Sequence, residues 1–268
     1  MKIGPFETGR VYAGDCLELM KALPDNSVPM IWTDPPFGHN SNDGDLSSSR
    51  VGIKGARQAP AIPIANDSPV ETEAVMVGMA AEAGRILNTK VSCCCCCCCR
   101  GGGPDPSFAR QFLRFGQKPW AFFHAVVWDK SAGGNGLGWR YRRNYEFILV
   151  AHRHGGTLAW AEGQVATPNI VRFTPVRGQE KSHPNEKPVE LVEHFLRLHT
   201  QPGDLVLDPF AGSGTTGVAC ARLGREFLGF EIDPAWTSTA NARIVGARRG
   251  LSLHQFRSGQ RTVFEALK

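Results

Sequence analysis

The chain has 268 residues, is 42% hydrophobic and carries a formal charge of +5. That length accommodates one large core, so a single domain over residues 1–268, with insertions, is expected. No charged-then-apolar leader follows Met1 and no apolar run approaches a bilayer's width, which points away from secretion and membranes and toward the cytosol.

The stretch GDCLELMKALPDNSV, Gly14 to Val28, places Leu17, Met20 and Leu23 on one helical face and predicts a helix feeding a strand. That strand, VPMIWT, stops at Asp34, followed by Pro35 and Pro36. Neither proline has an N–H and each fixes its own φ, so the chain leaves the sheet stiff and extended. An ordinary turn accounts for this, and so does a need to hold the Asp34 carboxylate and nearby carbonyls rigidly against a ligand. Residues 38–68 are rich in Ser, Gly, Asn and Asp without sustained periodicity and are expected to form a long mobile insertion.

A second helix is expected over Glu71 to Leu87. Seven consecutive cysteines follow, Cys93 to Cys99. On a strand they point to alternate faces and do not converge as zinc ligands or disulfide partners do. Cysteine packs as a small hydrophobe, so VSCCCCCCC is expected as a buried strand, with no metal, entering the turn from Arg100 to Pro106. Phe108 to Phe115 predicts a third helix, and FFHAVVWDK and YEFILVAHR predict strands from their apolar and β-branched content. Between Arg100 and Lys181 stand twelve Lys and Arg against five Asp and Glu, a basic middle suited to a polyanion. Within it, WRYRRNY alternates Arg140, Arg142 and Arg143 with aromatic rings, as a phosphate-binding or a solvated edge does. VELVEHFLRLH, after Pro188, is a further helix.

From Gly203 to Gly224, GDLVLDPFAGSGTTGVACARLG is a hydrophobic strand, a glycine loop and a helix in succession, the βα turn of nucleotide-binding sheets. Gly212, Gly214 and Gly217 satisfy GxGxxG, where a missing Cβ lets a ligand approach the backbone at a helix N-terminus. The next strand, REFLGFEID, ends at Glu231, nineteen residues after Gly212, where an acid hydrogen-bonds ribose hydroxyls. No Lys follows the glycines, which excludes a Walker loop. A carboxylate at the loop's mouth, Asp208, repels a pyrophosphate and attracts a cation, favouring S-adenosylmethionine over NAD. An NAD-dependent oxidoreductase accounts for the glycines, and a non-catalytic nucleic-acid-binding module for the basic middle, but neither accounts for TDPPF.

TDPPFG together with LDPFAGSGTTG resembles the N6-adenine and N4-cytosine amino-methyltransferases of DNA. Asp34 precedes Asp208 by 174 residues, similar to the motif order of that family's permuted β class. GDCLELMKALPDNSV, VVWDK, NYEFILVA and HPNEKPVELVEHFL resemble further family segments. The motif ends here in Phe37 where Tyr is commoner, and the cysteine run replaces a more varied strand. The resemblance implies an α/β, Rossmann-like doubly wound methyltransferase sheet with circularly permuted motif order, S-adenosylmethionine as cofactor, double-stranded DNA as partner, and a bacterial or phage-infected cytoplasm as the setting. It leaves room for a homodimer and for a cognate restriction enzyme.

On this resemblance Asp34, Pro35, Pro36 and Phe37 are catalytic, and Asp15, Asp208, Phe210, Gly212, Gly214, Thr215 and Glu231 belong to the cofactor. DNA falls to Arg140, Arg142 and Arg143, and target recognition to residues 152–184 or to the insertion after Gly38. In a doubly wound sheet, ligands bind beyond the carboxyl ends of strands where the strand order reverses, so the strands ending at Asp34 and Asp208 are expected side by side. Asp34 and the Pro35 carbonyl then accept the two N–H groups of the exocyclic amine of a flipped base, with Phe37 stacked on its ring. Asp rather than Ser before the prolines favours adenine N6, with cytosine N4 as the alternative.

Overall fold

The computed structural model describes residues 1–36, 68–97, 106–130, 144–176 and 186–251. Its elements in chain order begin with β1 (Lys2–Ile3), β2 (Phe6–Glu7), β3 (Arg10–Ala13), α1 (Cys16–Lys21), β4 (Met30–Thr33), α2 (Pro69–Ile86), β5 (Val91–Cys97) and α3 (Pro106–Phe115). They continue with β6 (Trp120–Asp129), β7 (Tyr145–Arg153), β8 (Thr157–Leu158), β9 (Ile170–Arg172), α4 (Val189–His199), β10 (Leu205–Asp208), α5 (Thr215–Leu223), β11 (Glu226–Glu231) and α6 (Pro234–Arg248).

β4 and β10 are buried along their whole length. Both faces are covered, so their sequences are continuously apolar rather than alternating. The main sheet runs β3-β11-β10-β4-β5-β7-β6-β9, with β8 beside β5 and a separate hairpin of β1 and β2. β7 is antiparallel to both β5 and β6, and the other pairings in the sheet are parallel. Alternate strand residues feed two cores. Ile31, Leu207 and Phe230 pack with Met20 of α1 and Met76 and Met79 of α2. Met30, Trp32 and Val206 pack with Phe195 of α4, Val218 of α5 and Ile244 of α6, and the Trp32 and Phe195 ring centres lie 5.1 Å apart. This is the Rossmann-like doubly wound sandwich expected from the sequence. From β10 the chain passes through α5 to β11 on one side, and from β4 by way of α2 to β5 on the other. The order therefore reverses between β4 and β10.

Three elements depart from expectation at their ends. α1 has only six residues and is capped at Ala22, because Pro24 cannot continue it. Met20 and Leu23 are nonetheless both buried, so the apolar spacing of Gly14 to Val28 reports burial rather than helix length. α2 and α3 start earlier than Glu71 and Phe108, each with a proline as its first residue, where the missing N–H costs nothing. The cysteine strand is β5, bonded to β4 on one side and β7 on the other. Its Cys93 is fully buried, and Cys98 and Cys99 lie outside the described residues. Among the described residues there is no cluster of His, Cys, Asp and Glu able to hold a metal ion, and no helix is long and apolar enough to cross a membrane.

The glycine loop shows what each glycine does. Gly217 is a packing position: a Cβ there would stand 2.4 Å from Ile244 Cδ1. Gly214 caps α5 at φ +82°, and its Cβ would meet Ala240 Cβ at 2.8 Å and Cα at 3.0 Å. Gly212, at φ +49°, has open space where a Cβ would be. Gly214→Ala should therefore cost the left-handed backbone term plus a clash, about 2–4 kcal/mol, whereas Gly212→Ala should cost the backbone term alone, about 1–2 kcal/mol. Urea denaturation of the two variants checks the difference.

Candidate active site

The carboxyl edge of the sheet gathers acids from four adjacent strands. Asp34 follows the last residue of β4, and Leu207 pairs with Ile31, which puts Asp208, the last residue of β10, beside that same strand end. Glu231 ends β11 opposite Ala13 of β3, and Asp15 follows two residues later. The sequence motifs separated by 174 residues thus meet at the reversal point, as expected.

The acids are held differently. Asp15 is exposed and caps α1, accepting the Leu17 N–H at 2.7 Å. The Glu231 carboxylate accepts N–H groups from Gly212 at 2.8 Å and Asp233 at 3.0 Å. Asp208 does not stand at an open mouth as the sequence reading placed it. It is 3% exposed and accepts the Thr216 hydroxyl and the Phe210 N–H, the latter at 3.1 Å, because the first turn of α5 folds back over the strand end. Burial pushes its carboxyl up to about 7, with the fields of Asp34 and Glu231 adding to the rise and the two hydrogen bonds opposing it. Burial likewise raises Glu231. An edge on which anionic forms are already penalised, next to the open backbone at Gly212, suits a positively charged ligand.

Sequence reasoning missed Lys187. Its ammonium lies 2.6 Å from Asp34 Oδ2 and 3.6 Å from Glu146 Oε2. Glu146, on β7, is also paired with Lys130, just beyond β6. The Lys187 and Glu146 side chains are 7% and 5% exposed. The turn that carries Lys187 is pinned on its other flank, where Glu186 bonds Arg243 of α6 at 2.5 Å and Arg243 also donates to the Ser213 carbonyl at 2.7 Å. Pro188 then caps α4. The signal available was an acid-lysine-proline run at a helix start, but its partners lie 153 and 57 residues away.

Pro35 is buried and Pro36 half-buried after Asp34. Phe37, Arg140, Arg142 and Arg143 lie outside the described residues, as does the 38–68 insertion apart from Ser68, whose hydroxyl caps α2 by accepting the Glu71 N–H at 3.3 Å. Of the 152–184 segment, the described part to 176 includes β8, paired with β5, and β9, paired with β6. A groove between α4 and β6, lined by Phe123, Trp160, His194 and His199 among others, contains none of these acids.

The family model described as DNA methylase matches residues 28–242. The type II methyltransferase M2.MboI of Moraxella bovis is 27% identical over 248 residues, covering 86% of this chain and 87% of that protein. The crystal structure of the M1.HpyAVI–SAM complex superposes with a TM-score of 0.63 at 23% identity, covering 88% of this chain and 98% of that one. PvuII DNA methyltransferase, cytosine-N4-specific, gives 0.63 at 18% identity, covering 97% and 98%.

The burial of Asp208 has a measurable consequence. The carboxyl titrates near 3.8 when unperturbed and near 7 in the fold. Between those values the folded chain keeps a proton that the unfolded chain has lost, so this group makes stability fall as pH rises from about 4 to about 7 and leaves it level above. Asp208→Asn removes the titration and keeps an acceptor oxygen. Its stability relative to the parent should rise by about 3 kcal/mol between pH 5 and pH 8, measured by urea denaturation at both.

Proposed function

The chain belongs to the DNA methylase family and is an S-adenosylmethionine-dependent DNA methyltransferase of the N6/N4 type; we propose that its methyl acceptor is adenine N6, on a base flipped from the duplex to Asp34. The observation that carries this reading is an aspartate, not a hydroxyl residue, on a stiff Pro-Pro turn where the strand order reverses.

The residues present fit the cofactor. It is a nucleoside with a sulfonium and an ammonium, and both charges suit an edge of Asp15, Glu231, Asp208 and Asp34. In this reading Asp15 and Glu231 address its adenosine. Phe210, Gly212, Gly214 and Thr215 shape the loop at the start of α5, whose helix N-terminus favours a carboxylate. Asp208 acts through its field from behind that loop. When bound, S-adenosylmethionine supplies an electrophilic methyl group whose bond to sulfur breaks as the bond to nitrogen forms.

An exocyclic amine is a poor nucleophile because its lone pair is delocalised into the ring. Asp34 and the Pro35 carbonyl accept its two N–H groups, which draws the nitrogen toward tetrahedral geometry and aims the lone pair for in-line attack. The methylated nitrogen then sheds one proton, for which Asp34 is the acceptor in contact. The rigidity of Pro35 and Pro36 counts because a misplacement of about 1 Å costs about 100-fold in rate. Phe37 stacks on the flipped ring and offsets its unstacking, while Arg140, Arg142 and Arg143 meet phosphates. Recognition of the target sequence falls to residues 152–184 or to the insertion after Gly38.

Asp34→Ala should lower kcat by at least about 100- to 1000-fold while leaving S-adenosylmethionine binding near the parent value. Glu231→Ala should do the converse and weaken cofactor binding by about 1–3 kcal/mol. Isothermal titration and single-turnover assays separate the two. Digesting methylated DNA to nucleosides and resolving them by mass should give N6-methyladenine. N4-methylcytosine as the sole product overturns the adenine assignment, and parental turnover in Asp34→Ala overturns the role of Asp34.

A further inference from the structure

We propose that Lys187 is the positioning residue of the transfer: held between Asp34 and Glu146, its ammonium fixes the Asp34 carboxylate as an anion in the one orientation that receives the amine. The proposal rests on the reading that Asp34 holds the base. Four features of the structure support it.

The contact is short and sheltered. Lys187 Nζ lies 2.6 Å from Oδ2, and its side chain is 7% exposed, so the pair is little screened by solvent or salt. An ionised carboxylate offers about four lone-pair sites, and one ammonium bond leaves others for the amine while removing the freedom of the side chain to turn. The ammonium is itself anchored. Glu146 Oε2 stands 3.6 Å away on β7, and Lys130 pairs with Glu146 from the end of β6. Acid and base alternate along Asp34, Lys187, Glu146 and Lys130, so the chain of four has no net charge and a neutral base can join it without a buried charge imbalance. The backbone under Lys187 is also fixed, by the buried Glu186–Arg243 pair on one side and Pro188 on the other.

The surroundings define what the cation does. Among the described residues, the charged groups around Asp34 include Lys187 from the start of α4, Asp208 from β10, with Glu231 of β11 beyond it, and Glu146 and Lys130 behind the lysine. Take away the ammonium and the carboxylates of Asp208 and Glu146 lose the cation that offsets them beside Asp34. A carboxylate among carboxylates protonates at higher pH, and a protonated Asp34 offers the amine a competing O–H in place of an acceptor.

The test uses the full chain with Lys187→Met, which keeps the length and removes the charge, Lys187→Arg, which keeps the charge, and Lys187→Ala. In Lys187→Met, kcat should fall about 100-fold, its acid limb should move to higher pH, and S-adenosylmethionine Kd and the fluorescence rise of a flipped 2-aminopurine at the target should stay within about threefold of the parent. Lys187→Arg should keep the acid limb at the parental pH, and added methylammonium should restore part of the Lys187→Ala rate. A Lys187→Met enzyme with parental kcat and acid limb overturns the proposal. So does one that loses cofactor binding in step with activity, or a Lys187→Arg enzyme whose limb moves as in Lys187→Met. If Lys187→Met is silent while Asp34→Ala is inactive, only the role of Lys187 falls. If Asp34→Ala is active, the reading beneath it falls.

Discussion

Like charges crowd the carboxyl edge of the sheet, and much of the site is an answer to that crowding. Asp15, Glu231, Asp208 and Asp34 end or follow four neighbouring strands. At an effective dielectric constant of about 20, two such charges 4 Å apart repel by about 4 kcal/mol. Asp15 turns its charge to the N-terminus of α1, Glu231 to two backbone N–H groups, Asp208 to a hydroxyl, an N–H and a raised affinity for a proton, and Asp34 to an ammonium. The gradation follows use. The acids nearest the glycine loop are satisfied by that loop's own groups, while the acid beside the Pro-Pro turn takes a full counter-charge.

Arg243 ties these arrangements together. From α6 it reaches both the Ser213 carbonyl in the glycine loop and Glu186, the residue before Lys187. The loop read as the cofactor's and the lysine that meets Asp34 therefore share one buried anchor. Removing either charge of such a pair costs about 3–5 kcal/mol, because the other is left uncompensated. Both sub-sites thus lean on the Arg243 side chain.

Much of the fold was legible because it rests on short-range rules. The apolar runs at β4 and β10, the prolines at helix starts and the glycine loop each report local conformation, and the reversal point follows from two strand ends carrying acids. What was not legible depended on where a side chain turns after the chain has folded. An acid at the end of β10 reads equally as a mouth or as a buried anchor, and the Phe210 N–H and Thr216 hydroxyl, two and eight residues on, decide which. Lys187 stood inside HPNEKPVELVEHFL, a stretch that resembles a family segment, but nothing in that stretch gave the lysine a role. Its meaning lies in a strand end 153 residues earlier, and nothing local encodes that pairing. The helix expected within Gly14 to Val28 is present but short for the opposite reason, a local one, since Pro24 ends it while the apolar spacing runs on.

The central strand pair has a consequence for how the chain holds together. β4 and β10 are neighbours in the sheet yet stand 174 residues apart from Asp34 to Asp208, so bringing them into register closes a very long loop. The chain-entropy cost of that closure grows only with the logarithm of its length, about 4–5 kcal/mol from the length term. The cleft does not exist until the closure is made, because each strand supplies one wall. A ligand that bridges the walls is therefore a clasp on a very long loop, and its binding free energy adds to the stability of the whole sheet rather than to that of the pocket alone.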